Sequence, residues 1–157
     1  QARAATREEI TRLTGIVNPA VLDALASLKL GGAAVMVMSM FPLVEVAWAD
    51  GKVDDKERRI VLQQAENVGI AKGSEAALLL VQWLDAKPEL SWHGLWADYV
   101  SELVKKMKVE DRELLKNEVL GRARLVAEAS GGLLGAGFAV SGAEKKVLEK
   151  LEAAFKG

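Results

Sequence analysis

The sequence predicts an all-α protein, and two observations carry that prediction. Half of its 157 residues are hydrophobic but few are aromatic, and Ala, Leu, Val, Lys and Glu dominate, a composition that favours helices. No stretch alternates apolar and polar residues as a half-buried strand would. A chain of this length supports one core, so we expect a single-domain irregular bundle of seven or eight helices. Residues 1–32 supply N-terminal helices and residues 33–157 the core.

The first two helices are predicted from their start signals. Thr6 and Glu9 have the spacing of a capping box, in which both side chains bind free amides at a helix start, so a short first helix is expected there. Asn18 before Pro19 predicts the second start, because Asn caps free amides and Pro fits the first helical position. The second helix is expected to end at the two glycines at 31–32.

Residues 33–49 are apolar almost all round and predict a buried helix. A membrane-spanning helix needs about 20 apolar residues, and this run is interrupted by Pro42 and Glu45. We therefore expect a core helix and no transmembrane span. Pro42 is expected to kink this helix or to begin a new segment.

Later helices begin at residues that favour the positive end of a helix. These predicted starts are Asp54, Ser74, Ser91, the Glu110-Asp111 pair and Ser141. The glycine-rich stretch at 131–137 lacks the Gly-Lys-Ser/Thr ending of a phosphate-binding loop, so we interpret it as a turn. Trp92, Trp96 and Tyr99 recur at spacings of three and four, which favours core packing over the alternative of an interface patch.

Composition excludes several functions. Lys and Arg number 21 and Asp and Glu 22, so the net charge of -1 provides no field for binding nucleic acid. Without cysteine there are no disulfides, zinc-thiolate sites or thiol nucleophiles. The single histidine, His93, has only Asp98 near it in sequence as an orienting carboxylate, so we expect a packing role and no enzymatic activity. No signal-type segment is visible, and the expected location is cytoplasmic.

Carboxylates gather where the buried helix gives way to the next one. Asp50, Asp54 and Glu57 match the later half of an EF-hand loop, but Val46 and Trp48 stand where its first ligands belong, so a complete EF-hand is not predicted. If the two helices fold back on each other, four acids converge, and such hard oxygen ligands favour Ca²⁺, Mg²⁺ or Mn²⁺. The candidate metal ligands are Glu45, Asp50, Asp54 and Glu57.

A second interpretation of the same acids involves no metal. Asp54 caps its helix, Glu57 completes a capping box, Asp50 tolerates the turn, and Glu45 pairs with an arginine. The arginine candidates are Arg58, Arg59 and Arg122. The pattern alone leaves both interpretations open.

A weakened second copy of residues 49–57 follows late in the chain, within residues 129–144. Each copy is a helix, a glycine turn and a capped helix with Glu as its third residue, so that Glu144 corresponds to Glu57. Serines stand in the second copy where the first has aspartates, and acidic chemistry is therefore expected in the first copy. Chance similarity between two capped helices is the alternative to duplication.

The stretches 44–57, 126–132 and 140–144 together resemble the TerB family of tellurite-resistance proteins. That resemblance implies an all-α fold with pseudo-repeated halves, a link to tellurite resistance and stress responses, and acidic residues that bind metal. By position those acids are the same four, Glu45, Asp50, Asp54 and Glu57, with Glu144 a weaker candidate. The first thirty residues match no TerB signature.

We therefore predict a non-enzymatic TerB-like stress-response domain that binds one divalent cation and has protein partners. The alternative is a helical interaction or regulatory scaffold without a metal site. A hydrolase with a carboxylate-held metal ranks third, because no additional base or nucleophile is visible. A basic cluster is interpreted as a solvated face, with contact to a membrane surface or an acidic partner as the alternative. Its members are Lys105, Lys106, Lys108 and Arg112. The sequence predicts no oligomeric state.

Overall fold

The computed structural model describes residues 2–131 and 142–156, and in these ranges it contains eight α-helices and no strand. The all-α prediction is confirmed. In chain order the helices are α1 (Ala2–Thr14), α2 (Pro19–Ala26), α3 (Ala33–Ala47), α4 (Asp55–Asn67), α5 (Glu75–Asp85), α6 (Leu90–Val104), α7 (Val109–Gly131) and α8 (Gly142–Ala154).

Helix α3 is the centre of the bundle, as its uniformly apolar sequence predicts. Ten of its fifteen residues are buried, and it contacts all seven of the other described helices. Pro42 is buried inside one continuous helix, so the expectation that a new segment begins there is wrong. Burial on every side stabilises a helix that has lost one backbone hydrogen bond to proline. Within the described ranges, no helix combines the length and apolarity that crossing a membrane requires.

Caps form where the chain enters a helix from an extended residue. The Asn18 side chain accepts hydrogen bonds from the amides of Ala20 and Val21, and Ser74 Oγ accepts one from Ala77 at 3.2 Å. Helix α4 is followed by Gly69, whose φ of +100° is a left-handed conformation that side-chain-bearing residues rarely adopt. The two predicted caps, Asn18 and Ser74, are confirmed.

Two helix boundaries differ from prediction for identifiable reasons, and a third differs by one residue. Helix α1 begins at Ala2, so Thr6 lies inside it and is not its cap; the alanines before Thr6 are strong helix formers and extend the helix upstream. Helix α2 ends at Ala26 instead of at the glycine pair, because the chain turns earlier, with Lys29 at a φ of +59°. Helix α6 begins one residue early, and the predicted cap Ser141 lies outside the described residues.

The aromatic residues of α6 belong to the core. Trp96 is 1% exposed and Tyr99 4%, which confirms core packing over an interface patch for these two residues. Trp96 packs edge-on against Phe155 of the C-terminal segment, and Trp92 packs edge-on against Trp83 of α5. These contacts hold α6 beside the ends of α3 and α8, where the charged side chains described next are found.

Candidate functional site

The turn between α3 and α4 has the backbone that its sequence predicts. Gly51 adopts a φ of +89°, and Asp54 is extended with φ -87° and ψ 170°. The Asp54 carboxylate accepts a hydrogen bond from the Glu57 amide at 2.7 Å, and Glu57 Oε1 accepts one from the Asp54 amide at 3.1 Å. This reciprocal pair is a capping box, and both predicted partners are confirmed.

Two glutamates are buried although they are charged residue types. Glu57 is 3% exposed and Glu144 is 1% exposed, and they are the buried acids of the described chain. Each is the third residue of its helix, α4 and α8 respectively. Glu57 Oε2 accepts no hydrogen bond within residues 2–131 and 142–156, which leaves one oxygen of a buried carboxyl unsatisfied.

The environment of Glu57 favours its neutral form. Burial raises the pKa of Glu57 to about 7, against the opposing effect of the hydrogen bond from the Asp54 amide, and the charges of Asp54, Glu144 and Asp50 raise it further. The structure therefore brings together three of the predicted residues, Asp50, Asp54 and Glu57, with Glu144 beside them. We call these four residues the acidic corner.

The acidic corner is not a preformed metal site. In the part of the chain that the structure describes, no three His, Asp or Glu side chains are grouped so that they could hold a metal ion. Asp50 is exposed on the turn, whereas the Glu57 side chain is buried. Cation binding at these residues stays a prediction.

Glu45, the fourth predicted ligand, lies in a different set of contacts. Its Oε1 is 2.5 Å from Nδ1 of His93 on α6, and its Oε2 is 3.8 Å from Nζ of Lys150 on α8. The expected arginine partner is wrong: Arg58 instead pairs with Asp85 at 2.7 Å, across the ends of α4 and α5. Glu45 therefore links three helices, α3, α6 and α8.

Sequence reasoning missed this pairing because the partners are far apart in the chain. Glu45 and His93 are separated by 48 residues, whereas the sequence offers Asp98 as a carboxylate near the histidine. A usable signal was present. A carboxylate in an apolar helix needs a donor, and a lone histidine among aromatic residues needs an acceptor, so each residue answers the requirement of the other.

A cavity of about 160 Å³ lies next to Glu45 and His93. Phe41, Trp48 and Val147 contribute apolar surface to it, and Lys150 contributes a charge. We call this space the His93 cavity. Its described lining contains no hydroxyl or thiol side chain. The arrangement is suited to binding.

Comparisons of the chain with known protein families, with curated proteins and with solved structures find no match. The two regions must therefore be interpreted from their own chemistry. The acidic corner gathers carboxyl groups around a buried, unsatisfied oxygen. The His93 cavity joins polar side chains from three helices to an apolar wall.

Proposed function

We propose that this chain is a non-enzymatic, TerB-like stress-response domain whose acidic corner binds one divalent cation. The observation that supports the proposal best is Glu57 Oε2, a buried oxygen that accepts no hydrogen bond from the described residues. Three further carboxyl groups, of Asp50, Asp54 and Glu144, act on the same side chain. A bound cation would offset the mutual repulsion of these acids.

The ligand chemistry favours Ca²⁺, Mg²⁺ or Mn²⁺. Every candidate donor is a carboxylate oxygen, a hard ligand that suits these ions and suits softer metals less well. Because the described residues contain no preformed ligand group, binding requires the carboxyl groups of the acidic corner to rearrange. This rearrangement and the ionisation of Glu57 both oppose binding, so we expect an affinity weaker than that of a rigid calcium loop.

Glu45 is not part of this proposed site. Its two oxygens already face His93 and Lys150, and a metal ion would have to displace both contacts. The proposed ligands are therefore Asp50, Asp54 and Glu57, with Glu144 as a further acid close to them.

A titration tests the proposal. We expect Ca²⁺, Mg²⁺ or Mn²⁺ to produce binding heat and to raise the melting temperature of the native chain, because a ligand that binds only the folded state stabilises it. The double variant D50N/E57Q should lose both effects while it remains folded. D55N is the matched control, since Asp55 is an exposed acid in the first turn of α4 and should leave cation binding unchanged.

An alternative function follows from the capping geometry. The two hydrogen bonds between Asp54 and Glu57 account for both residues as a helix start, as an interaction scaffold without metal would require. In that case no cation changes the melting temperature, and D54A costs about 1 kcal/mol of stability as a lost cap. Absence of heat with all three cations would refute the cation proposal and favour the scaffold.

A further inference from the structure

The polar groups of the His93 cavity have unused hydrogen-bonding capacity. A carboxylate only accepts, so the contact with Glu45 places the proton of His93 on Nδ1, and Nε2 forms no hydrogen bond with the described residues. Lys150 Nζ lies 3.8 Å from Glu45 Oε2, which is too long for a hydrogen bond. The ammonium of Lys150 therefore attracts Glu45 without committing its donors to it.

Apart from Lys87 and Glu89, the remaining wall of the cavity is apolar. Trp48 donates its indole N–H to the Trp83 carbonyl at 2.7 Å, so this side chain offers only carbon atoms to a ligand. Phe41 and Val147 add aromatic and aliphatic surface. A ligand that fills this space must have an apolar body joined to a polar end.

Size restricts that body to about one ring. The cavity measures about 160 Å³, close to the ~150 Å³ of an engineered apolar cavity known to take up benzene. The space is also open to solvent at one side, where Lys87 and Glu89 stand on the exposed rim. These two rim charges offset each other, so the charge of the ligand is selected by Glu45 and Lys150.

Of these two, Lys150 is the one that an entering ligand meets first, because its side chain is 47% exposed and that of Glu45 is 15% exposed. Glu45 already accepts from His93, whereas the ammonium of Lys150 has donors to spare. We propose that the His93 cavity binds a small monocarboxylate with an apolar body of about one aromatic ring. The carboxylate pairs with Lys150 beside His93, and the ring packs against Phe41, Trp48 and Val147. This site is separate from the acidic corner and does not depend on cation binding there.

Three probes of equal size and different charge test the proposal: benzoate, benzamide and benzylamine. Binding to the native chain is measured by calorimetry or by ligand-observed NMR. We expect benzoate to bind and benzamide to bind about tenfold more weakly or worse, because benzamide lacks the charge-assisted hydrogen bond to Lys150. Benzylamine should not bind, because its ammonium group is repelled by that of Lys150. Equal binding of all three, or no benzoate binding up to about 10 mM, would overturn the proposal.

Variants locate the site. K150M keeps the aliphatic stem and removes the charge, and should weaken benzoate binding about tenfold or more with an unchanged melting temperature. K145M is the matched control, since Lys145 is an exposed lysine of the same helix outside the cavity lining. A49L should fill the cavity and abolish binding while it leaves every charge in place. Wild-type benzoate affinity in K150M or in A49L would exclude this site.

Discussion

The acidic corner and the His93 cavity differ in how their contacts are distributed along the chain. The corner is mostly local: Asp54 and Glu57 bond each other three residues apart, and Asp50 lies on the same turn. The cavity joins residues from α3, α6 and α8, with 48 residues between Glu45 and His93. Like charges meet at the corner and opposite charges meet at the cavity. Charge repulsion consequently destabilises the corner, whereas the contacts of Glu45 at the cavity connect α3 with α6 and α8.

The largest expected effect concerns the corner and is a dependence of stability on pH. Glu57 has a pKa of about 7 in the folded chain against an ordinary value of 4.5, so the folded state binds the proton more tightly than the unfolded state. This contribution is complete below pH 4.5 and is lost as pH rises through 7. The loss is at most about 3 kcal/mol.

Denaturation between pH 4.5 and 8, in buffer free of divalent cations, measures this loss. E57Q carries a neutral side chain of the same shape, and its free energy of unfolding should fall much less over this range. D55N, an exposed neighbour, should retain the native slope. A native chain whose stability rises from pH 5 to 7 would contradict the assignment of a raised pKa to Glu57.

The sequence predicts the corner better than the cavity because helix starts are local. Asp54 and Glu57 form the predicted box since the same few residues contain both the signal and the structure. Thr6 and Glu9 have the same pattern and fail as a helix start, because the helix-forming residues before them let α1 start at Ala2. A capping pattern thus predicts a helix start only where the residues before it are not helical.

The placement of Glu45 could be predicted only in part. Its apolar surroundings on α3 indicated that it needs a partner, and the structure supplies His93 and Lys150 instead of an arginine. The identity of the donor beside Glu45 depends on how α6 and α8 pack on α3. That packing follows from the burial of residues far apart in the chain, such as Trp96 and Leu151. No short window of sequence contains this information.

A second, smaller effect is expected at the cavity. E45A removes the acceptor of a half-buried imidazole N–H and should cost about 2 kcal/mol of unfolding free energy. H93A should cost a similar amount, and the double variant should cost less than the sum, because the pair is lost once. Urea denaturation of the four chains measures the coupling. Strict additivity would mean that Glu45 and His93 do not stabilise each other, which would remove the contrast between the two regions.

The smallest expected effect on stability is that of substituting Arg58, and it tests whether the corner and the cavity are independent. This residue follows Glu57 in α4 and was a candidate partner of Glu45, yet its guanidinium pairs with Asp85 at the surface. Exposed pairs contribute about 0.5 kcal/mol, so R58M should change stability by no more than that. The changes in unfolding free energy caused by R58M and E45A should be additive in the double variant, because Arg58 and Glu45 share no contact. Coupling above about 0.5 kcal/mol would mean that Glu45 also responds to the charge of α4, and that the two regions act as one electrostatic unit.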